Sequence, residues 1–180
     1  MMTKEYINEL KIRGNRDIAN LINAQRDVGS INYILESLGT LPNNFNPDFL
    51  YNLLRHNHSQ VRLNAVKNIA KLNGNSDTNS LFALYKKETD TGVWREIVSA
   101  IGRQRMCKNK PLLYSFLADT DPKIICQAIR GLLVFENDKE VEEHLRPLVN
   151  HENEMVRTVI YKEYFAKEKK NENVLPLKAA

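Results

Sequence analysis

Val61, Val93, Ile124 and Val156 lie 32, 31 and 32 residues apart, and each follows a short polar turn. Four residues beyond them stand Ala65, Ile97, Ala128 and Ile160, and four further on Ile69, Ile101, Leu132 and Tyr164. Positions i, i+4 and i+8 fall on one face of a helix, so each set marks an apolar stripe. A stripe that returns at this period belongs to a supersecondary unit that cannot enclose a core alone. It is buried by stacking on its neighbours. The constraint therefore selects an all-α solenoid of stacked helix pairs, with a long surface left over for a partner.

The preceding segment of each repeat supplies the first helix of the pair. Its apolar positions are Phe49, Leu50, Leu53 and Leu54, then Leu81, Phe82, Leu84 and Tyr85, then Leu112, Leu113, Phe116 and Leu117, and last Val141, Leu145, Leu148 and Val149. Start signals agree: Asn46 before Pro47, Asp77, Asn109 ahead of Pro111, Asp121 before Pro122, and Asp138 each offer a side-chain acceptor to open helix N–H groups. Residues 1–45 suggest three helices, at 3–13, 17–26 and 30–38, followed by a loop over 39–45. We read them as an N-terminal cap or degenerate repeat covering the exposed end of the stack. Four repeats then occupy 46–167. Residues 168–180 read as a charged tail or the start of a linker, an ending that looks cut from a longer chain.

Composition narrows the function classes. No apolar run approaches the ~20 residues of a membrane-spanning helix, and the N-terminus is amphipathic, so no membrane partner is expected. Two widely spaced cysteines, Cys107 and Cys126, suit reduced thiols in the cytoplasm better than a disulfide framework. Net charge alternates along the chain: −1 over 1–54, +7 over 55–110, −5 over 111–154 and +3 over 155–180. Such a pattern presents a directional surface to a charged partner.

The turn-plus-helix segments resemble HEAT repeats, in which the second helix often opens with Val-Arg followed by Ala and a spaced Leu or Ile. Val61-Arg62 with Ala65 and Ile69, and Val156-Arg157 with Ile160, carry the likeness. Asp121-Pro122-Lys123-Ile124 with Ala128 shares the turn and core but has Ile125 where Arg is usual, and the second repeat places Trp94 there. The resemblance spans about residues 47–165 and implies a right-handed α-solenoid of HEAT-like helix pairs whose second helices line the concave face. A fainter similarity links Gln127-Ala128-Ile129-Arg130-Gly131-Leu132, and the segment around Leu148 to Met155, to HEAT-like regions that precede bacterial DNA methyltransferase domains. No methyltransferase motif occurs in the chain itself. Trp94 with Glu96 also brings HEAT-like DNA glycosylases into view, although aromatic residues are otherwise sparse on the inner positions.

Equivalent exposed positions on the second helices read Lys67, Ser99, Arg130 and Lys162. Four residues later they read Lys71, Arg103, Val134 and Ala166. Second helices stacked at roughly 8–10 Å would form a cationic row on the order of 30 Å long, a length able to track a phosphate backbone. We therefore take Lys67, Lys71, Arg103, Arg105, Arg130 and Lys162 as candidate nucleic-acid contacts of a non-catalytic binding module. The alternative is a protein–protein scaffold anchored by an apolar group such as Trp94. Arg62 and Arg157 are expected to hold turn carbonyls or acidic side chains between repeats. His56 and His58 fit a helix end and turn, and no His or Cys spacing calls for a metal or other cofactor.

Overall fold

The computed structural model describes residues 2–13, 15–72, 77–135 and 137–165. All regular structure among them is helical. The chain forms two compact units, Met1–Gln104 and Arg105–Ala180.

In the first unit, α1 (Lys4–Arg13), α2 (Asn15–Asn23) and α3 (Val28–Ser37) pack on one another, and α3 packs on α5. Two helix pairs follow: α4 (Asp48–Leu53) with α5 (Ser59–Ile69), and α6 (Thr78–Tyr85) with α7 (Thr91–Arg103). Stacking of α5 on α7 joins the pairs. The second unit holds α8 (Lys110–Phe116) against α9 (Pro122–Leu132), then α10 (Lys139–Leu145) and α11 (Glu154–Val159), which continues as a π-helical turn over Ile160–Phe165. Here α9 stacks on α11.

Every position of the repeating stripe is buried. Val61, Val93, Ile124 and Val156, the four residues at i+4 and the four at i+8 all lie in the core. First helices contribute fewer fully enclosed residues, among them Leu50, Leu81, Leu113 and Leu145. The second helices thus carry the greater part of the core, as a solenoid requires of elements that contact neighbours on both sides.

Helix starts follow the acids and amides of the sequence. Asp77, Asp121 and Asp138 accept from the N–H groups of Asn79, Lys123 and Glu140, and Asn46 accepts from Asp48 N–H. Asp27, Asp90 and Asn153 cap α3, α7 and α11 in the same way. Asn109 departs from the expectation. It is buried and makes no capping bond, because a 3-10 turn over Cys107–Asn109 leads directly into α8 and its own N–H donates to Met106 O. The loop after α3 opens at Gly39, whose φ of +58° is left-handed and open to glycine at little cost.

The two turn arginines act alike. One terminal nitrogen of Arg62 donates to His56 O and Asn57 O, and one of Arg157 donates to His151 O and Glu152 O. Arg62 also forms a bidentate pair with Glu88, at 2.7 and 2.6 Å, in the turn of the next helix pair. Burial pushes the Glu88 carboxyl up, but the Arg62 guanidinium and the N–H groups of Asp90 and Thr89 outweigh it and hold it at about 2. His56 and His151 complete the turns, each ring Nδ1 accepting a backbone N–H two residues on. The charged tail of 168–180, Glu136 and the row position at Ala166 lie outside the described residues.

Candidate functional site

One hollow of the first unit is a cleft of about 630 Å³ between α4 and α6, with Tyr51, Arg62, Leu84 and Glu88 among its walls. Its two buried charges already satisfy each other and the turn backbone. What remains at its rim is the exposed pair Arg55 and Lys87. The cleft is therefore a structural joint with little unspent chemistry.

A second hollow, of about 360 Å³, runs over the faces of α3, α5 and α7. Two asparagines define its floor. Asn64 and Asn68, one turn apart on α5, are each 2% exposed. Asn64 donates its amide to Asn32 Oδ1 and Glu36 Oε1 on α3, both at 3.1 Å. Asn68 donates to Leu35 O at 2.9 Å and to Asn64 O at 2.8 Å. Asn32, Asn64 and Glu96 recur at the 32-residue period, so successive second helices present amide, amide and carboxylate at the same level.

Cations border this floor. Lys71 donates to Gly39 O and to Asn68 Oδ1, and Lys11 donates to Leu38 O and Thr40 O. Arg103 pairs with Glu96 two turns back on the same helix. Burial, and then the charges of Lys11, Arg103 and Lys67, push the Lys71 ammonium down from its ordinary value. Lys67 is exposed beside them. The site is thus amphoteric: Glu36 and Glu96 alternate with Lys67, Lys71 and Arg103 over a polar amide floor.

Lys67, Lys71 and Arg103 are therefore brought together in the first unit. Arg105, Arg130 and Lys162 belong to the second. Arg130 donates to Glu163, from Nη2 and Nε to Oε1 at 2.8 and 3.0 Å and from Nε to Oε2 at 3.2 Å, while Arg105 and Lys162 are exposed. Reading one charge sign along equivalent positions did not reveal these carboxylates, because their pairing partners sit seven residues away for Arg103 and in the next repeat for Arg130. Asn64 and Asn68 were also missed. Their signal was two asparagines at i, i+4 inside an apolar helix, where Asn is a poor helix former and needs a tertiary reason to be.

Trp94 is half-buried. Its indole Nε1 donates to Tyr85 O at 3.0 Å, and its ring lies 6.1 Å from that of Tyr85. The side chain thereby ties the end of α6 to the start of α7. Trp94→Phe is expected to lower the stability of the first unit by about 1 kcal/mol, the net worth of one neutral hydrogen bond. Urea unfolding followed by circular dichroism measures it.

Other reactive groups have settled roles. Burial pushes the Cys126 thiol up. His144 stacks on Tyr114, with ring centroids 3.7 Å apart. Lys110 bridges Asp138 and Glu140, whose hydrogen bonds raise its pKa. Among the described residues no cluster of His, Cys, Asp and Glu has metal-binding geometry, and no helix is long and apolar enough to cross a membrane.

No protein-family model and no curated protein matches the sequence. Solved structures do resemble the fold. An engineered protein whose crystal structure came from a structural genomics consortium is similar with a TM-score of 0.55 and 15% identity, over 92% of this chain and 90% of that one. A designed armadillo repeat protein, solved in complex with a (KR)4 peptide, is similar with a TM-score of 0.51 and 15% identity, over 88% of each chain. These likenesses show the fold: an all-α repeat solenoid of armadillo-like type.

Proposed function

We propose that the chain is a non-catalytic binding scaffold that holds an extended polypeptide segment on the face of α3, α5 and α7. The observation that carries this reading is the interleaving of donors and acceptors over the Asn64 and Asn68 floor. A polypeptide offers both N–H and C=O groups along its length and matches such a surface. A phosphate backbone offers acceptors only, and would meet the carboxylates of Glu36 and Glu96. Three cations against these two acids favour a partner with a modest excess of negative charge. The designed armadillo protein of similar fold holds a peptide, which agrees with the type of partner, although its peptide is basic.

Nucleic acid is the second reading, and one observation favours it. Burial depresses Lys71 first, and the charges of Lys11, Arg103 and Lys67 stand close enough to add to it. The two readings separate on salt: phosphate binding releases counterions and falls steeply between about 50 and 200 mM salt, whereas binding of a peptide with only a modest excess of negative charge falls less. A peptide array screened with wild type and with Lys67→Glu/Arg103→Glu, alongside duplex DNA at both salt concentrations, tests them. The polypeptide reading expects array signals that the double variant loses. Steeply salt-dependent DNA binding without peptide capture would replace it with the nucleic-acid reading. The residues Lys67, Lys71 and Arg103 serve either partner, and Arg105, Arg130 and Lys162 would extend a nucleic-acid surface.

A further inference from the structure

The repeat register identifies one position that changes character at the last helix. Val66, Val98 and Ile129 are equivalent by the 32- and 31-residue spacing, and each is 0% exposed. Within the units, α5 packs on α7 and α9 packs on α11, so Val66 and Ile129 sit on helices that a following second helix stacks against. The next equivalent is Tyr161, which is 55% exposed. Thr158 on the same helix is half-exposed, as are its equivalents Leu63 and Arg95. Met155 is 46% exposed close by, and the Phe165 ring lies 6.0 Å from that of Tyr161. Around Thr158 the surface forms a hollow of about 360 Å³. Among the described residues, α11 presents a stacking face with no helix stacked on it.

The charges on that face indicate what fits. Glu154 and Lys162 are both exposed and stand four residues either side of Thr158. Arg157 is engaged by the turn carbonyls of His151 and Glu152. We propose that this face docks a second copy of the chain, α11 running antiparallel to α11 about a two-fold axis through Thr158. A two-fold contact requires that residue i meets j while j meets i. The arrangement sets Glu154 against Lys162 of the second copy twice, and Met155 against its Tyr161 twice, so each facing pair is attractive. One helix from each copy buries less than a standard interface, and the dimer is accordingly weak.

Sedimentation velocity of the full chain, from about 10 to about 500 μM, tests this. Wild type is expected to show a concentration-dependent monomer–dimer equilibrium. Lys162→Glu alone and Glu154→Lys alone each set like charges in opposition at both symmetric contacts, and should weaken self-association roughly tenfold or more. Both positions are exposed, so circular dichroism should be unchanged. The two variants mixed in equal amounts carry complementary charges and should recover the dimer. A wild type that stays monomeric throughout overturns the proposal, as does a mixture that associates no better than either variant alone. Growth beyond a dimer also overturns it, in favour of head-to-tail stacking between opposite ends.

Discussion

Glu88→Ala lowers the unfolding free energy of the first unit by roughly 3–5 kcal/mol, the range for breaking a buried pair by removing one partner. The Glu88 side chain is 1% exposed and that of Arg62 14%. Without the carboxylate, the guanidinium keeps His56 O and Asn57 O but loses its counter-charge in a desolvated site. The N–H groups of Thr89 and Asp90 lose their acceptor as well. The pair also ties α5 to the turn between α6 and α7, so its loss loosens a joint between successive helix pairs. The folded-state pKa of about 2 lies below the ordinary 4.5. The stabilisation is therefore complete above pH ~4.5 and is lost as pH falls from ~4.5 toward ~2, a total of roughly 3 kcal/mol. Glu88→Gln should remove that part of the acid dependence. The single tryptophan, Trp94, lies in the first unit, so urea unfolding followed by its fluorescence at pH 7 and pH 3 reads both effects.

Ile97→Ala is expected to cost about 2–5 kcal/mol. Ile97 is 0% exposed at the middle of the α7 stripe. Its removal takes apolar area out of the core and leaves a cavity that neighbouring helices cannot fill without shifting. Ile12, 72% exposed on α1, provides the contrast. Ile12→Ala should change stability by no more than about 0.5 kcal/mol. Equal costs at the two sites, measured by the same urea series, would contradict the assignment of the repeating stripe to the core.

Much of the fold was legible because its strongest constraint is local and periodic. Spacings of 31 and 32 residues with apolar groups at i, i+4 and i+8 left few ways to bury the stripe, and all of those positions are in the core. Turn chemistry was legible too. The expectation that Arg62 and Arg157 hold turn carbonyls or acidic side chains follows from a guanidinium at the start of the second helix, just after a polar turn, and both hold turn carbonyls. Asn109 resembled a cap by type and position, but a 3-10 turn took over that role. Side-chain pairing was the least legible feature. Arg130 meets Glu163 and Lys110 meets Asp138 because stacked helices sit at a particular offset. Separations of 33 and 28 residues carry no local signature. A row of like charges on equivalent positions thus becomes, once the helices stack, a surface of alternating sign.

Amide chemical-shift mapping shows whether a peptide lies along that alternating surface. The ¹⁵N-labelled chain would be titrated with the strongest peptide from the array. Shifts should concentrate at Asn64, Lys67, Asn68, Lys71, Glu96 and Arg103, and should be lost in Lys67→Glu/Arg103→Glu. Shifts confined to the α4–α6 cleft or to the face around Tyr161, with the α3–α5–α7 groove silent, would contradict that placement.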